Sequence, residues 1–353
     1  MSRDIAIIGV SGRYPMAADL ECFWVNLRNG HNCVSEAPSL RWAESLTGTQ
    51  SWATERYYGG FLEQVDDFDH KLFGISSAEA SNLSPELRQM LEVTWRTFED
   101  AGYNSNAIAR IQQRNAAGVG VFVGSMYNQS LWTESSLERA AIKSNVTDWQ
   151  IPNRISHYFD LKGPSLAVNS ACSSSMSAIH LACQSLLQND CAMAIAGGVN
   201  LILDPSKYQT LKLANYLGSG DLSRGFGQGD GMIPGEGAGA VLLKPLAAAV
   251  TDGDRIYGVI KSSSVNHGGG KLMYSAPDTH QQTQLIAETI KRAGLKPAQI
   301  NYVEAAANGS ELGDSLEVVA LKKSLATSGP LAVHWVQSSR ISATSRRRRE
   351  FPS

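Results

Sequence analysis

Apolar residues in this chain gather into short continuous runs, and between the runs they recur at helical spacing. Residues 5–10, 118–124, 191–198, 238–243, 256–265 and 300–303 are strand-like runs. The run that opens behind Gly163-Pro164 at Ser165 reads as a further, buried strand. Helical spacing covers 281–293 and 19–30, the latter with Leu20, Phe23, Trp24 and Leu27 on one face. It also covers 83–101, where Ser84-Pro85-Glu86 is a start signal and Gly102 a stop. Residues 33–76 are loop-rich and aromatic, residues 125–154 form a polar segment, and 201–205 turn away from the strand before them. Continuously apolar strands alternating with helices predict an α/β protein with buried sheets, and residues 256–265 open what reads as a second round of the same architecture.

The central stretch is Ser165 to Leu187. After its strand comes a corner of small residues, and then Met176, Ile179, Leu181, Ala182, Leu186 and Leu187 recur at helical spacing. Cys172 falls where strand becomes helix. The unpaired N–H groups and positive dipole end there favour a thiolate over a thiol. Ser173, Ser174 and Ser175 are small enough for a sharp turn and for an acyl group to reach the sulfur. A small buried cysteine that merely packs has the same spacing, so the pattern alone leaves both readings open.

Composition changes the picture modestly. A chain of 353 residues with 43% hydrophobic content buries a large core, as one domain or two fused halves. A net charge of −2 gives no reason to expect nucleic acid or an acidic membrane surface as partner. Five cysteines, odd in number and without metal-ligand spacing, predict a reduced cytoplasmic setting and no metal. No apolar run approaches a membrane span, and residues 1–4 read as no secretion signal. The glycines of 225–239 lack the Gly-Lys-Ser/Thr ending of a phosphate loop, so a structural turn beside a pocket is expected there.

Asn169-Ser170-Ala171-Cys172-Ser173-Ser174-Ser175 resembles the active-site segment of β-ketoacyl synthases, the ketosynthase domains of bacterial modular polyketide synthases. Residues 4–15, 83–95, 99–103, 229–241 and 303–314 resemble other landmarks of that family, in the same order, so the likeness runs from Asp4 to about Leu325. Val265-Asn266-His267-Gly268-Gly269 resembles members served by free-standing acyltransferases. The resemblance implies a thiolase-like layered α-β-α-β-α fold and a homodimer. It also implies acyl substrates carried on the phosphopantetheine of an acyl carrier protein, with no cofactor bound directly.

It further implies one cysteine and two histidines for elongation. Cys172 matches the cysteine. The first histidine belongs to a Glu-Ala-His-Gly-Thr-Gly-Thr motif, and the matching residues are Glu304-Ala305-Ala306-Ala307-Asn308-Gly309-Ser310. Ala306 stands where the imidazole should be, and a methyl group donates neither hydrogen bond nor proton. Loss of one oxyanion donor costs about a hundredfold to a thousandfold in rate, and decarboxylation asks more of this position than acyl transfer does. The expectation is a non-elongating ketosynthase that loads an acyl chain onto Cys172 without adding carbons. A condensing enzyme, and an inactive fragment or docking module, are the alternatives. His267 and Asn308 are expected at the tunnel or pocket, with His267 read as a loop histidine rather than a general base.

The second histidine of the family lies in a Lys-Ser-Asn-Ile-Gly-His segment that this frame lacks. Reading the third base of each codon from Ala332 with the first two of the next permits Cys-Ala-Leu-Gly-Ser-Val-Lys-Ser-Asn-Ile-Gly-His-Leu-Glu-Ala-Ala. The expected organisation is therefore an N-terminal half over 1–250, an incomplete start of the C-terminal half over 251–330, and an out-of-frame tail over 331–353. The four arginines 346–349 then have no selected nucleic-acid partner.

Overall fold

The computed structural model describes residues 3–38, 41–42, 56–114, 117–126, 147–270 and 276–325, and the backbone of 334–336. The elements in chain order are β1 (Ile5–Arg13), α1 (Leu20–Asn29), β2 (Ser35–Glu36), β3 (Tyr58–Gly59), α2 (Ser77–Ser81), α3 (Pro85–Asp100) and α4 (Ser105–Arg114). Then follow β4 (Val119–Gly124), α5 (Gln150–Tyr158), β5 (Ser165–Val168), α6 (Ser174–Gln188), β6 (Met193–Asn200) and α7 (Ser206–Leu213). The remainder is β7 (Gly237–Pro245), α8 (Leu246–Asp252), β8 (Gly258–Ile260), α9 (Thr279–Arg292), β9 (Tyr302–Glu304), α10 (Glu311–Leu325) and β10 (His334–Val336).

Six strands form one sheet in the order β5-β4-β6-β7-β1-β8. Strands β5, β4 and β6 are mutually parallel, and β7, β1 and β8 continue the sheet antiparallel. Successive strand residues point to opposite faces, which divides the core in two. Val121, Val123 and Ile195 pack with Leu87, Met90 and Leu91 of α3 and Ile151 and Ile155 of α5. Phe122, Ala194 and Ala196 pack with Ala178, Ala182, Cys183 and Leu186 of α6. The nucleophile helix thus lies on one face of the sheet and α3 on the other. A parallel pair, β9 and β10, carries α9 and α10, whose apolar residues Ile286, Ile290 and Leu321 gather with Val303 and Ala307.

Helix α3 starts as its sequence dictates. The Ser84 hydroxyl accepts the Leu87 N–H at 3.2 Å, and Pro85 occupies the first turn, where its missing N–H costs nothing.

Four expectations need correction. The strand at Ser165 is the sheet's edge, not a buried strand, and Leu166 is 47% exposed. On α6, Ala178, Ala182, Cys183 and Leu186 are buried, whereas Met176 is 67% exposed and Leu181 lies outside the core. No residue of α1 is buried, and Trp24 faces solvent, although Phe23 packs on Tyr14 with ring centroids 4.4 Å apart. The end of the polar segment is helix α5, anchored by Ile151 and Ile155 one turn apart. Two apolar residues around Pro152 are too few to announce a helix by periodicity. Strand β8 pairs antiparallel with β1 at the edge of the six-stranded sheet.

Candidate functional site

Strand β5 ends at Val168, and the chain reverses within five residues to enter α6. The turn requires Ala171 at φ +55°, a left-handed conformation unfavourable for alanine. Cys172 follows it and is exposed. Serine hydroxyls hold the corner. Ser173 Oγ donates to the Ser170 carbonyl at 2.8 Å, Ser174 Oγ donates to the Ala171 carbonyl at 2.5 Å and accepts the Ser170 N–H at 3.0 Å, and Ser170 and Ser177 hydroxyls lie 2.8 Å apart. Helix α6 has no side-chain N-cap, so its first-turn N–H groups are not covered by a capping side chain.

Two glycines let this turn lie on the sheet. A Cβ on Gly124 would meet the Ser174–Ser175 backbone at 2.5 Å, and one on Gly198 would meet the Ser175 Cβ at 2.8 Å. The three serines are therefore needed for hydrogen bonding and for close approach, not only for small size. Cys183 and Cys191 differ from Cys172: both are buried, and burial pushes the Cys183 thiol up to about 11 and the Cys191 thiol upward too. They serve packing.

A buried carboxylate, Glu236, immediately precedes β7. Glu236 Oε2 accepts the Leu62 N–H at 2.7 Å and the Arg41 guanidinium at 3.0 Å, and Oε1 accepts the Ile202 N–H at 2.8 Å. Burial still pushes Glu236 above the usual carboxylate range, against the pull of Arg41, the two amides and Lys207. Lys207 Nζ donates to Asn200 Oδ1 at 2.6 Å, and burial brings its ammonium down to about 8. Sequence reasoning missed both residues. One signal was available: Lys207 stands in the first turn of α7, where a cation opposes the helix dipole.

The loop that carries Ala306 is fixed by α10. Glu317 accepts the Ala306 N–H at 3.0 Å and the Ala307 N–H at 3.1 Å. Ala306 itself is exposed, while Ala305 and Ala307 are buried. The glycine-rich segment packs against this loop: Asp230 and Ser310 form a bridge, the Ser223 hydroxyl lies 3.4 Å from the Asn308 carbonyl, and Asp314 accepts the Phe226 N–H at 2.8 Å. Asn308 is exposed, and its Oδ1 accepts the Ser310 N–H at 3.2 Å. That geometry matches a structural turn. His267 is exposed, and its Nδ1 accepts the Gly269 N–H at 2.9 Å within its own loop. No hydrogen bond joins His267 to Cys172 among the described residues. No cluster of metal-ligating side chains occurs among them, and no helix among them is long and apolar enough to cross a membrane.

A mixed sheet faced by helices, with a cysteine presented at a parallel strand-to-helix turn, defines a thiolase-like protein. The chain belongs to the β-ketoacyl synthase family: it matches the N-terminal domain over residues 2–249 and the C-terminal domain over 257–342. It is 55% identical over 325 residues to polyketide synthase PksR of Bacillus subtilis, covering 91% of this chain and 13% of that protein. It is 42% identical to polyketide synthase PksL of the same organism, over 91% of this chain and 7% of that protein. Among solved structures, the oxazolomycin ketosynthase domain OzmH KS7 of Streptomyces albus superposes with a TM-score of 0.84 at 39% identity, covering 94% of this chain and 60% of that one. The ketosynthase from module 6 of the bacillaene synthase of Bacillus subtilis gives 0.80 at 33% identity, over 91% and 54%. The chain is a ketosynthase domain of the polyketide synthase type and spans a small part of the synthases it matches.

Proposed function

We propose that this domain is a non-elongating ketosynthase: it takes an acyl chain from an acyl carrier protein onto Cys172 and hands it on without adding carbons. The Cys172 sulfur attacks the thioester carbonyl, the carbon–sulfur bond to the phosphopantetheine breaks, and the cysteine's proton ends on the departing thiol. Atoms and charge balance without a cofactor or metal of the domain's own. The reading rests on Ala306, which matches the family's first histidine in the Glu304–Ser310 motif, and the hydrogen-bonded corner around Cys172 supports it. Loading needs the sulfur and its turn. Decarboxylation of a malonyl unit additionally needs a donor that a methyl group does not supply.

The exposed edge of β5, with Leu166, supports a homodimer formed along that edge, where unpaired N–H and C=O groups await a strand. Free cysteines support a cytoplasmic setting. Residues 1–250 act as the half that carries the nucleophile, 251–330 as the start of the second half, and 331–353 as out-of-frame sequence.

The test is mass spectrometry of the Cys172 peptide after incubation with an acyl carrier protein thioester, followed by addition of malonyl carrier protein. Acylated Cys172 and no β-ketoacyl product are expected. A β-ketoacyl product would make it a condensing enzyme, and an unlabelled Cys172 in folded protein would make it a docking or inactive piece.

A further inference from the structure

Ala171 is the strained point of the turn that presents Cys172, and its backbone is gripped at both ends. At φ +55° it holds a left-handed conformation that alanine avoids unless its surroundings enforce it. Its N–H donates to Asn169 Oδ1 at 3.3 Å, and its carbonyl accepts the Ser174 N–H at 3.1 Å and the Ser174 hydroxyl at 2.5 Å. The same hydroxyl accepts the Ser170 N–H at 3.0 Å. Ser174 Oγ therefore bridges the chain on either side of the strained residue. Ser173 does not: it reaches only the carbonyl and hydroxyl of Ser170.

The bridge has a firm base. Ser174 is 5% exposed, and its backbone lies on the end of β4, where a Cβ on Gly124 would come within 2.5 Å of the Ser174 carbonyl carbon. Strand β4 is itself flanked by β5 and β6. Residues 169–173, by contrast, are all exposed. One hydroxyl thus ties an exposed, strained turn to a buried point fixed on the sheet. A turn released from that tie returns to the negative φ values that alanine prefers, and the next residue, Cys172, moves with it. Acyl transfer needs the sulfur and the thioester carbonyl aligned at about 3–3.5 Å, and a misplacement of about 1 Å can cost on the order of a hundredfold.

We propose that Ser174 is a positioning residue for the nucleophile: its hydroxyl clamps Ala171 in the left-handed conformation and so fixes where the Cys172 sulfur is presented. The inference deepens the acyl-loading reading and rests on it for its purpose. The clamp itself is also read separately, by amide hydrogen exchange of the full chain, which needs no acyl carrier.

Ser174→Ala is compared with wild type and with the double variant Ala171→Gly/Ser174→Ala, in which glycine takes the left-handed conformation without a steric cost. Single-turnover acylation of Cys172 by an acyl carrier protein thioester is followed by mass spectrometry over a range of carrier concentrations. S174A is expected to lower the rate at saturating carrier by about five- to tenfold, in keeping with one net hydrogen bond, and to leave the half-saturating concentration unchanged. The double variant is expected to recover most of that loss, which a general weakening of the core would not produce. Exchange in peptides covering residues 170–173 is expected to be faster in S174A. An unchanged rate in S174A, or a loss that the glycine does not relieve, overturns the proposal. If S174A does not fold, the double variant is expected to fold, and its failure to do so overturns the proposal equally. If wild type takes up no acyl chain, the loading reading falls and exchange alone decides the clamp: unchanged protection at 170–173 in S174A overturns it, and faster exchange supports it.

Discussion

Glu317 accepts the amide N–H of Ala306 at 3.0 Å, which ties down the backbone of the residue that aligns with the first histidine of the ketosynthase motif. Its neighbour Ala307 is tied to the other carboxylate oxygen. Ala306 is exposed. In a frame-restored domain, Ala306→His is expected to raise decarboxylation of malonyl carrier protein by about a hundredfold, the usual worth of one oxyanion donor. Acyl loading of Cys172 should change little. Carbon dioxide release and Cys172 labelling, measured side by side, check the split.

Ala307 has φ +36° and is buried, in the place where the family motif has glycine. The left-handed conformation costs alanine about 1–2 kcal/mol. Glycine would relieve that, but would lose about 0.8 kcal/mol of methyl burial and about 0.4–1 kcal/mol through a freer unfolded chain. Ala307→Gly is therefore expected to be nearly neutral, whereas the β-branched Ala307→Val should lower stability by about 2 kcal/mol or more. Urea midpoints of the two variants against wild type measure this.

Glu236 collects three donors from three separate segments around Arg41, Leu62 and Ile202. Truncating it strands a buried guanidinium and two amides. Glu236→Ala is expected to cost about 3–5 kcal/mol, and Glu236→Gln, which keeps one acceptor oxygen, clearly less. Denaturant unfolding gives both values.

These residues show what a sequence can and cannot disclose. The corner at Cys172 was legible because strand, small residues and helix follow one another in the chain, and the sheet was legible because β4 and β6 are continuously apolar. Helix α5 was hidden by having only Ile151 and Ile155 as anchors. The edge position of β5 was hidden because an edge strand can read as apolar as a core strand. Lys207 and Glu236 were hidden for another reason: isolated polar letters do not reveal burial, and the partners of Glu236 lie far off in sequence. Ala306 was visible only against a family motif, since an alanine announces nothing by itself.

The reading of residues 331–353 as out-of-frame makes a demand on the gene. Family sequence is recovered only if Ser338-Ser339 is encoded TCA-AGY and Arg346 AGG. Sequencing those codons decides it, and any other codons there remove the case for a shifted frame. If the codons fit, deleting Arg346–Arg349 should leave DNA affinity unchanged in a salt titration, because arginines produced by a frame change have no selected contact.

His180 links the nucleophile helix to the segment that follows β8: its Nδ1 lies 2.8 Å from the Ser263 hydroxyl. Partial burial, and then the nearby Arg292 charge, hold its imidazole below the ordinary histidine value. A histidine with a depressed folded-state value binds its proton more weakly folded than unfolded. Stability is then greatest above about pH 6.5, the unfolded value, and is lost as pH falls toward the folded one. Wild-type urea midpoints should fall between pH 7 and 5, and His180→Gln should show a shallower fall over the same interval. Arg292→Gln should move the wild-type loss to lower midpoint sensitivity by removing the repelling charge. Identical pH slopes in all three proteins would show that this imidazole does not couple the helix to its surroundings, and that the Ser263 contact is incidental to the stability of the corner.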